Sequence, residues 1–252
     1  MPAATIEAAL ARTPVPFAAS LRLRLATLRL SQDRDASAAS VQLDLALNSL
    51  KARKQMVGGA TTLRVYRWQL CQASICMAER KFDKAQTVYL KVFEAASKTE
   101  SAQSLAITQL ARRGLVDVAL ATGVVVEANQ HLQTLAVGAD LESDDWLQSA
   151  LAWVAFIQSL SATASAKETL LTTAESRLRR AVELNSNSST HLCRLGQVLW
   201  ERAQEHRIDK TRGCFSYWLR AAKLNRENAD AFACLGRYYA VSLCTCWLCL
   251  LP

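Results

Sequence analysis

Between residues 17 and 251 the chain contains no proline. Its four prolines are Pro2, Pro14, Pro16 and Pro252, and only eight of its 252 residues are glycine. Proline and glycine punctuate strands and turns, so a proline-free run of this length suits helices joined by short polar loops. Ala, Leu, Arg, Gln and Glu, all good helix formers, fill the same region. Apolar residues make up 51% of the chain, enough to bury a sizeable core. The sequence predicts an all-α protein.

Internal repetition says how those helices are arranged. The segment from Ser189 to Trp200 returns as Ala229 to Ala240, so that Leu192 matches Phe232, Leu195 matches Leu235, Gly196 matches Gly236 and Leu199 matches Tyr239. A second signature precedes each: Leu178-Arg-Arg-Ala-Val-Glu-Leu-Asn185 before the first, Leu219-Arg-Ala-Ala-Lys-Leu-Asn225 before the next. In a helix pair of this kind, large residues at positions 4, 7 and 11 of the first helix form one apolar face. Glycine at position 8 lets the paired backbone approach. Small residues at positions 20 and 27 of the second helix receive the neighbour's bulk. Ala174, Leu178 and Ala181 occupy positions 20, 24 and 27 of one unit, and Cys214, Trp218 and Ala221 repeat the pattern. This is the tetratricopeptide pattern, whose period is about 34 residues. The spacing from Gly196 to Gly236 is 40, so the unit carries about six extra residues in the polar stretch Gln204 to Arg212.

Upstream the pattern weakens and persists. Ala85, Tyr89 and Val92 take positions 20, 24 and 27 of another unit, with residues 66–77 as the partner helix. Residues 103–113 and 115–128 are expected as a further hairpin with Gly114 near its turn. Asp144 or Asp145 caps a helix from Trp146 to about Leu160, and residues 161–166 form its connection. Residues 20–53 read as two helices broken near Gln32 to Asp35, and Gly58-Gly59 as a loop. The expected organisation is a flexible N-terminus (1–19), four to five helix pairs stacked in a right-handed superhelical solenoid (20–240), and an atypical hydrophobic, Cys-rich tail (241–252).

Catalysis needs converging groups, and the sequence offers few. His131, His191 and His206 are far apart and lack metal spacing. His191 falls at repeat position 3, an exposed first-turn place. No Gly-rich phosphate loop, nucleophile elbow or paired-carboxylate motif occurs, and Asp144-Asp145 suits a helix start. The expectation is a non-enzyme with no catalytic or metal-ligating residues and no cofactor. Cys71, Cys76, Cys193, Cys214 and Cys234 lie inside helical stretches, where free cysteine is a small hydrophobe, fitting a reducing compartment.

Both ends carry other readings. The first 32 residues hold Arg12, Arg22, Arg24 and Arg29 against Glu7 alone, as transit peptides do. Their leucines equally suit a helix that continues the fold. In the tail, Cys244, Cys246 and Cys249 offer three thiolates and no nearby fourth ligand for zinc. Cys249-Leu-Leu-Pro252 fits a prenylation box with an unusual final residue, and no apolar run reaches the ~18 to 20 residues of a membrane span. The remaining reading is a departure from the repeat at Val241, as in a truncated or spliced product.

The segment from Ala174 to Ala240 resembles the tetratricopeptide subunit of the superkiller complex. The residues that carry the likeness are Arg194 to Trp200, the expansion with Asp209-Lys-Thr211, Leu219 to Asn225, and Cys234 to Tyr239. The resemblance implies a cytoplasmic scaffold, with the nucleus as an alternative location, that binds a superkiller-family RNA helicase and a WD-repeat subunit and serves exosome-mediated 3′-to-5′ mRNA decay. Arg207, Lys210 and Arg212 of the expansion are the candidate partner-binding residues. The alternative is a generic interaction adaptor with no part in RNA decay. Thr190, Cys193, Gln197, Asp230, Ala233 and Arg237 at positions 2, 5 and 9 cannot form a carboxylate clamp for a chaperone tail. The net charge of +8 is interspersed along helices, and the aromatics sit at or beside packing positions rather than between basic residues, so direct RNA binding is not expected. The register predicts helix from about residue 20 to 240 without sheet; far-UV circular dichroism should show a helical spectrum with no strand component.

Overall fold

A computed structural model describes residues 3–14, 18–31, 35–57, 62–99, 101–137, 140–206 and 213–248. Among them the secondary structure is helical, and consecutive helices pack as pairs, the tetratricopeptide-like all-α arrangement read from the repeats. The chain forms two compact units, residues 1–131 and 132–252.

The first unit holds α1 (Ala3–Arg12), α2 (Ala19–Ser31), α3 (Ala36–Val57), α4 (Thr62–Ala78), α5 (Phe82–Ala96) and α6 (Ala102–Thr122), followed by α7 (Val125–Ala136), which runs past its end. Here α2 packs on α3, α4 on α5, and α5 on α6. Small residues make the close approaches: Ala26, Ala39, Ala73, Ala85 and Ala111 are fully buried. Ala85, Tyr89 and Val92 all face inward, as their repeat positions require. The Tyr89 hydroxyl lies 3.2 Å from Ser74 Oγ. On α4, the Trp68 indole N–H donates to the Leu43 carbonyl of α3 at 3.0 Å, so its polar edge is satisfied while its ring packs.

Three expectations change in this unit. Residues 3–12 of the supposedly flexible N-terminus form α1, which packs on α2, fully buries Ile6 and pairs Glu7 with Arg29 at 2.7 Å. Residues 103–122 form one helix and not a hairpin. Gly114 sits in its middle, where a Cβ would come 2.3 Å from Tyr89 Cε1; it provides room for a ring and makes no turn. The turn is made by Gly123, which ends α6 in the left-handed conformation at φ 80°, the glycine C-cap. Gly58-Gly59 lies outside the described residues.

The second unit contains α8 (Asp145–Ser159), α9 (Ala164–Leu184), α10 (Ser189–His206), α11 (Cys214–Leu224) and α12 (Ala229–Leu248). Asp144 caps α8, its carboxylate accepting from the Leu147 N–H at 3.0 Å, as the sequence suggests. α8 pairs with α9 and α10 with α11, and α10 touches both α8 and α12. Ala174, Leu178, Ala181, Leu192, Leu195, Cys214, Trp218, Ala221 and Leu235 are buried, and Leu199 is half-buried against the same core. A Cβ on Gly196 would stand 2.5 Å from Trp218 Nε1, so the position-8 glycine admits the indole.

The repeat equivalence of Gly236 does not extend to its surroundings. A Cβ there would meet nothing within 4 Å, and its neighbours Phe232 and Tyr239 are 49% and 53% exposed. The second helix of a pair covers this face, and no helix follows α12 among the described residues. The backbone of the expected tail is helical as far as Leu248, where α12 ends. Gly196→Leu should therefore cost ~1 to 3 kcal/mol through overpacking and lower the melting temperature by several degrees. Gly236→Leu should leave it level or raise it, since leucine is the better helix former. Parallel thermal melts compare the two, and equal losses would mean the register is wrong.

Candidate interaction surface

In the second unit, α8, α10 and α12 are the first helices of successive pairs and lie side by side, with α9 and α11 packed against them. Two arginines of this layer lie on tryptophans of the preceding first helix. Arg194 of α10 stands 5.2 Å from the Trp153 ring of α8 and donates to Ser149 Oγ at 3.1 Å. Arg237 of α12 stands 5.6 Å from the Trp200 ring of α10 and reaches Glu201 at 3.7 Å. Stacking of this kind holds a guanidinium flat. Around these pairs Thr190, Asp230 and Ala233 are exposed and Gln197 is half-buried. The face is polar and of mixed charge.

His191 corrects the sequence reading. It is 6% exposed and lies 3.0 Å from Asp145 Oδ2, which also accepts from Asn185 Nδ2 at 2.8 Å. The first turn of α8 crosses the first turn of α10 and covers repeat position 3. Three elements thus meet at one carboxylate: the start of α8, the C-cap of α9 and the start of α10. Burial holds the His191 imidazole below its ordinary pKa, aided by Arg194 and opposed by Asp145. The Asp145 carboxyl sits below the usual range because bonds from Asn185 and His191 outweigh its partial burial. A neutral imidazole donating Nε2–H to an ionised carboxylate satisfies both shifts; His191 Nδ1 is then a buried acceptor without a partner.

Behind this layer Arg202 of α10 bonds Glu175 and Glu168 of α9, the latter at 2.8 Å, and Arg179 reaches Glu175 at 2.7 Å. These bonds hold the Glu175 carboxyl below its usual range despite its burial. Arg180 is engaged by the Glu142 carbonyl at 3.0 Å and by Glu183. Arg202, Arg179 and Arg180 are thus paired within the fold. Beside α9 a concavity of about 760 Å³ is lined by Gln148, Thr173, Arg177 and Arg180 together with Glu142 and Glu183, a polar wall of mixed charge. Among the described residues, no group of His, Cys, Asp and Glu is placed to hold a metal ion, and no helix is long and apolar enough to cross a membrane. Arg207, Lys210 and Arg212 lie outside the described residues. Asp145 and His191 escaped sequence reasoning because they are 46 residues apart; the recurrence of Asn at 185 and 225 was their only local signal.

No protein-family model matches the chain, and no curated protein matches it. Among solved structures it is similar to YrrB, described as a tetratricopeptide-repeat protein with an unusual peptide-binding site. The TM-score is 0.37 at 11% identity, over 86% of this chain and 92% of that one.

A group with a lowered histidine pKa makes stability pH-dependent in a definite direction. The unfolded chain protonates His191 near pH 6.5, whereas the folded one keeps it neutral. Stability is therefore full above that pH and falls as the pH drops through and below it. His131, half-buried and also shifted down by burial, adds a contribution of the same sign. Melts between pH 7.5 and 5.5 should show this loss, and His191→Gln, whose amide can still donate to Asp145, should flatten it more than any exposed substitution.

Proposed function

We propose that this chain is a non-catalytic tetratricopeptide scaffold that recruits protein partners through the layer of first helices α8, α10 and α12. The observation that carries this reading is the pair of guanidiniums held over tryptophans, Arg194 on Trp153 and Arg237 on Trp200. Arginine is among the residues that dominate the energetics of protein interfaces, and a pre-stacked guanidinium loses little side-chain freedom on binding. Extended helical-repeat surfaces recruit partners in this way.

The finer reading is a superkiller-type scaffold in the cytoplasm. Its support is the likeness in residues 194–200, 219–225 and 234–239 together with the expansion of about six residues between the helices of one pair. On that reading the companions are the superkiller-type RNA helicase and a WD-repeat subunit, and the exosome is engaged through them in 3′-to-5′ mRNA decay. Arg207, Lys210 and Arg212 are then a second candidate contact beside Arg194 and Arg237.

Co-precipitation with tagged helicase, with nuclease present to remove RNA bridging, tests both levels. Arg194→Glu with Arg237→Glu should reduce capture by about tenfold or more, as loss of a hot spot worth ~2 kcal/mol requires. Reversing Arg207, Lys210 and Arg212 tests the expansion separately. Capture of other proteins, abolished by the Arg194 and Arg237 changes, would leave a generic adaptor and remove the superkiller assignment.

A further inference from the structure

Gly196 and Gly114 each receive an aromatic ring from a packed helix, and Gly236, which shares the register of Gly196, receives none. Trp218 of α11 lies on Gly196 of α10, and Tyr89 of α5 lies on Gly114 of α6. The Trp218 indole N–H also donates to the Cys193 carbonyl, three residues before the glycine, at 3.2 Å. One repeat further on, α12 presents the same seat. Phe232, Gly236 and Tyr239 stand where Leu192, Gly196 and Leu199 stand, and Ala233 stands where Cys193 does. All four residues of this second seat are exposed, and a Cβ on Gly236 would meet nothing within 4 Å. Residues four apart and three apart share one face of a helix, so Phe232 and Tyr239 form an apolar stripe with a gap at Gly236. One side of the gap is held in place, because the Tyr239 ring packs edge-on against Phe215 of α11 at 5.8 Å. Among the described residues no second helix lies on the stripe, and a contiguous apolar stripe left in water marks an interaction site.

The helix that fills the equivalent seat shows what fits this one. On α11, Cys214, Trp218 and Ala221 are buried in the core shared with α10. Small residues four places before the ring and three after it let the two backbones approach until the ring reaches the glycine. The arrangement recurs on α9 as Ala174, Leu178 and Ala181, and on α5 as Ala85, Tyr89 and Val92. Of these central residues, only tryptophan brings an N–H to the carbonyl beside the glycine. We propose that the Phe232–Gly236–Tyr239 face of α12 is the docking seat for an amphipathic helix of a partner protein, one that presents a tryptophan between small residues spaced as in α11. The ring lies on Gly236, its N–H meets the Ala233 carbonyl, and the small residues let the helix settle between Phe232 and Tyr239. The docked helix continues the α10–α11 interface by one repeat. A second copy of this chain does not supply it through α11, since Trp218 is 1% exposed and already seated. The seat depends neither on the stacked Arg194 nor on the superkiller reading.

A synthetic peptide of residues 213–228 tests the seat on the full chain. It carries Cys214→Ala to remove the thiol, a fluorophore at its N-terminus, and a lactam joining Ser216→Glu to Arg220→Lys. Both lactam positions are exposed in α11, and the bridge holds the helix that so short a peptide would otherwise lose. Fluorescence anisotropy should show saturable binding to the chain. Gly236→Leu in the chain should weaken it by about tenfold or more, because leucine takes the place of the ring. That variant is expected to melt no lower than the parent, so lost binding does not report unfolding. Trp218→Ala in the peptide should abolish binding, and Trp218→Phe, which keeps a ring and lacks the N–H, should fall between. Arg194→Glu in the chain should leave the peptide bound. An absence of saturable binding, or binding indifferent to Gly236→Leu or to Trp218→Ala, would overturn the proposal. So would light scattering that finds the parent a dimer and Gly236→Leu a monomer, since the face would then belong to a second copy.

Discussion

The second unit depends on one indole seated against one glycine. Trp218 is 1% exposed and rests on Gly196, and its N–H donates to the Cys193 carbonyl at 3.2 Å. The glycine brings the backbones of α10 and α11 close enough for the ring to fill the gap, and the hydrogen bond removes the cost of burying its polar edge. A Trp deletion at such a site is worth ~3 to 5 kcal/mol, a large share of what a domain has in hand. The next pair is seated by the same logic. Trp200 lies 5.6 Å from Trp218 and 6.2 Å from Tyr238 of α12. Ser189 donates to the Ala221 carbonyl at 2.9 Å while accepting from Asn228, so a buried helix end is satisfied from the neighbouring pair.

The same economy appears in the first unit with different residues, which explains what could be read from the chain. Tyr89 on Gly114 repeats Trp218 on Gly196: each aromatic is at position 24, and each lies on a glycine of a packed helix. Gly196 was recognisable because Leu192, Leu195 and Leu199 frame it at repeat spacing. Gly114 lacks that frame, since Arg113 and Asp117 stand where Leu195 and Leu199 stand around Gly196, and a turn is then the natural reading. Its φ-positive counterpart Gly123 stands immediately before the apolar run Val124-Val125-Val126, which hides a helix end. Repetition identifies the pairs; it does not say which glycine bends the chain and which admits a ring.

Burial of polar groups was the least legible part. Position 3 of a first helix is open only while nothing crosses it, and the first turn of α8 does cross it, placing Asp145 on His191. Likewise Phe232, Gly236 and Tyr239 match Leu192, Gly196 and Leu199 as residues, but their burial is decided by whether a second helix covers them. A repeat register assigns a residue to a face; the neighbouring element decides whether that face is inside. Local pattern therefore carried Ala174, Leu178 and Ala181, whose partners are close in sequence, and failed for contacts such as Asp145 to Asn185, 40 residues apart.

The α10–α12 junction shows how packing and surface chemistry are joined in this unit. Cys193 offers its carbonyl to Trp218 and belongs to the core on which Cys234 of α12 packs, so one residue links the seat of α11 to the seat of α12. Gln197, whose amide donates to the Cys234 sulfur at 3.3 Å, belongs to the same layer as the stacked arginines Arg194 and Arg237. Arg237 itself is shared between the Trp200 ring and the Glu201 carboxylate, so a partner that takes up its guanidinium competes with both, and the packing of α12 on α10 and the binding chemistry of this face draw on the same side chain.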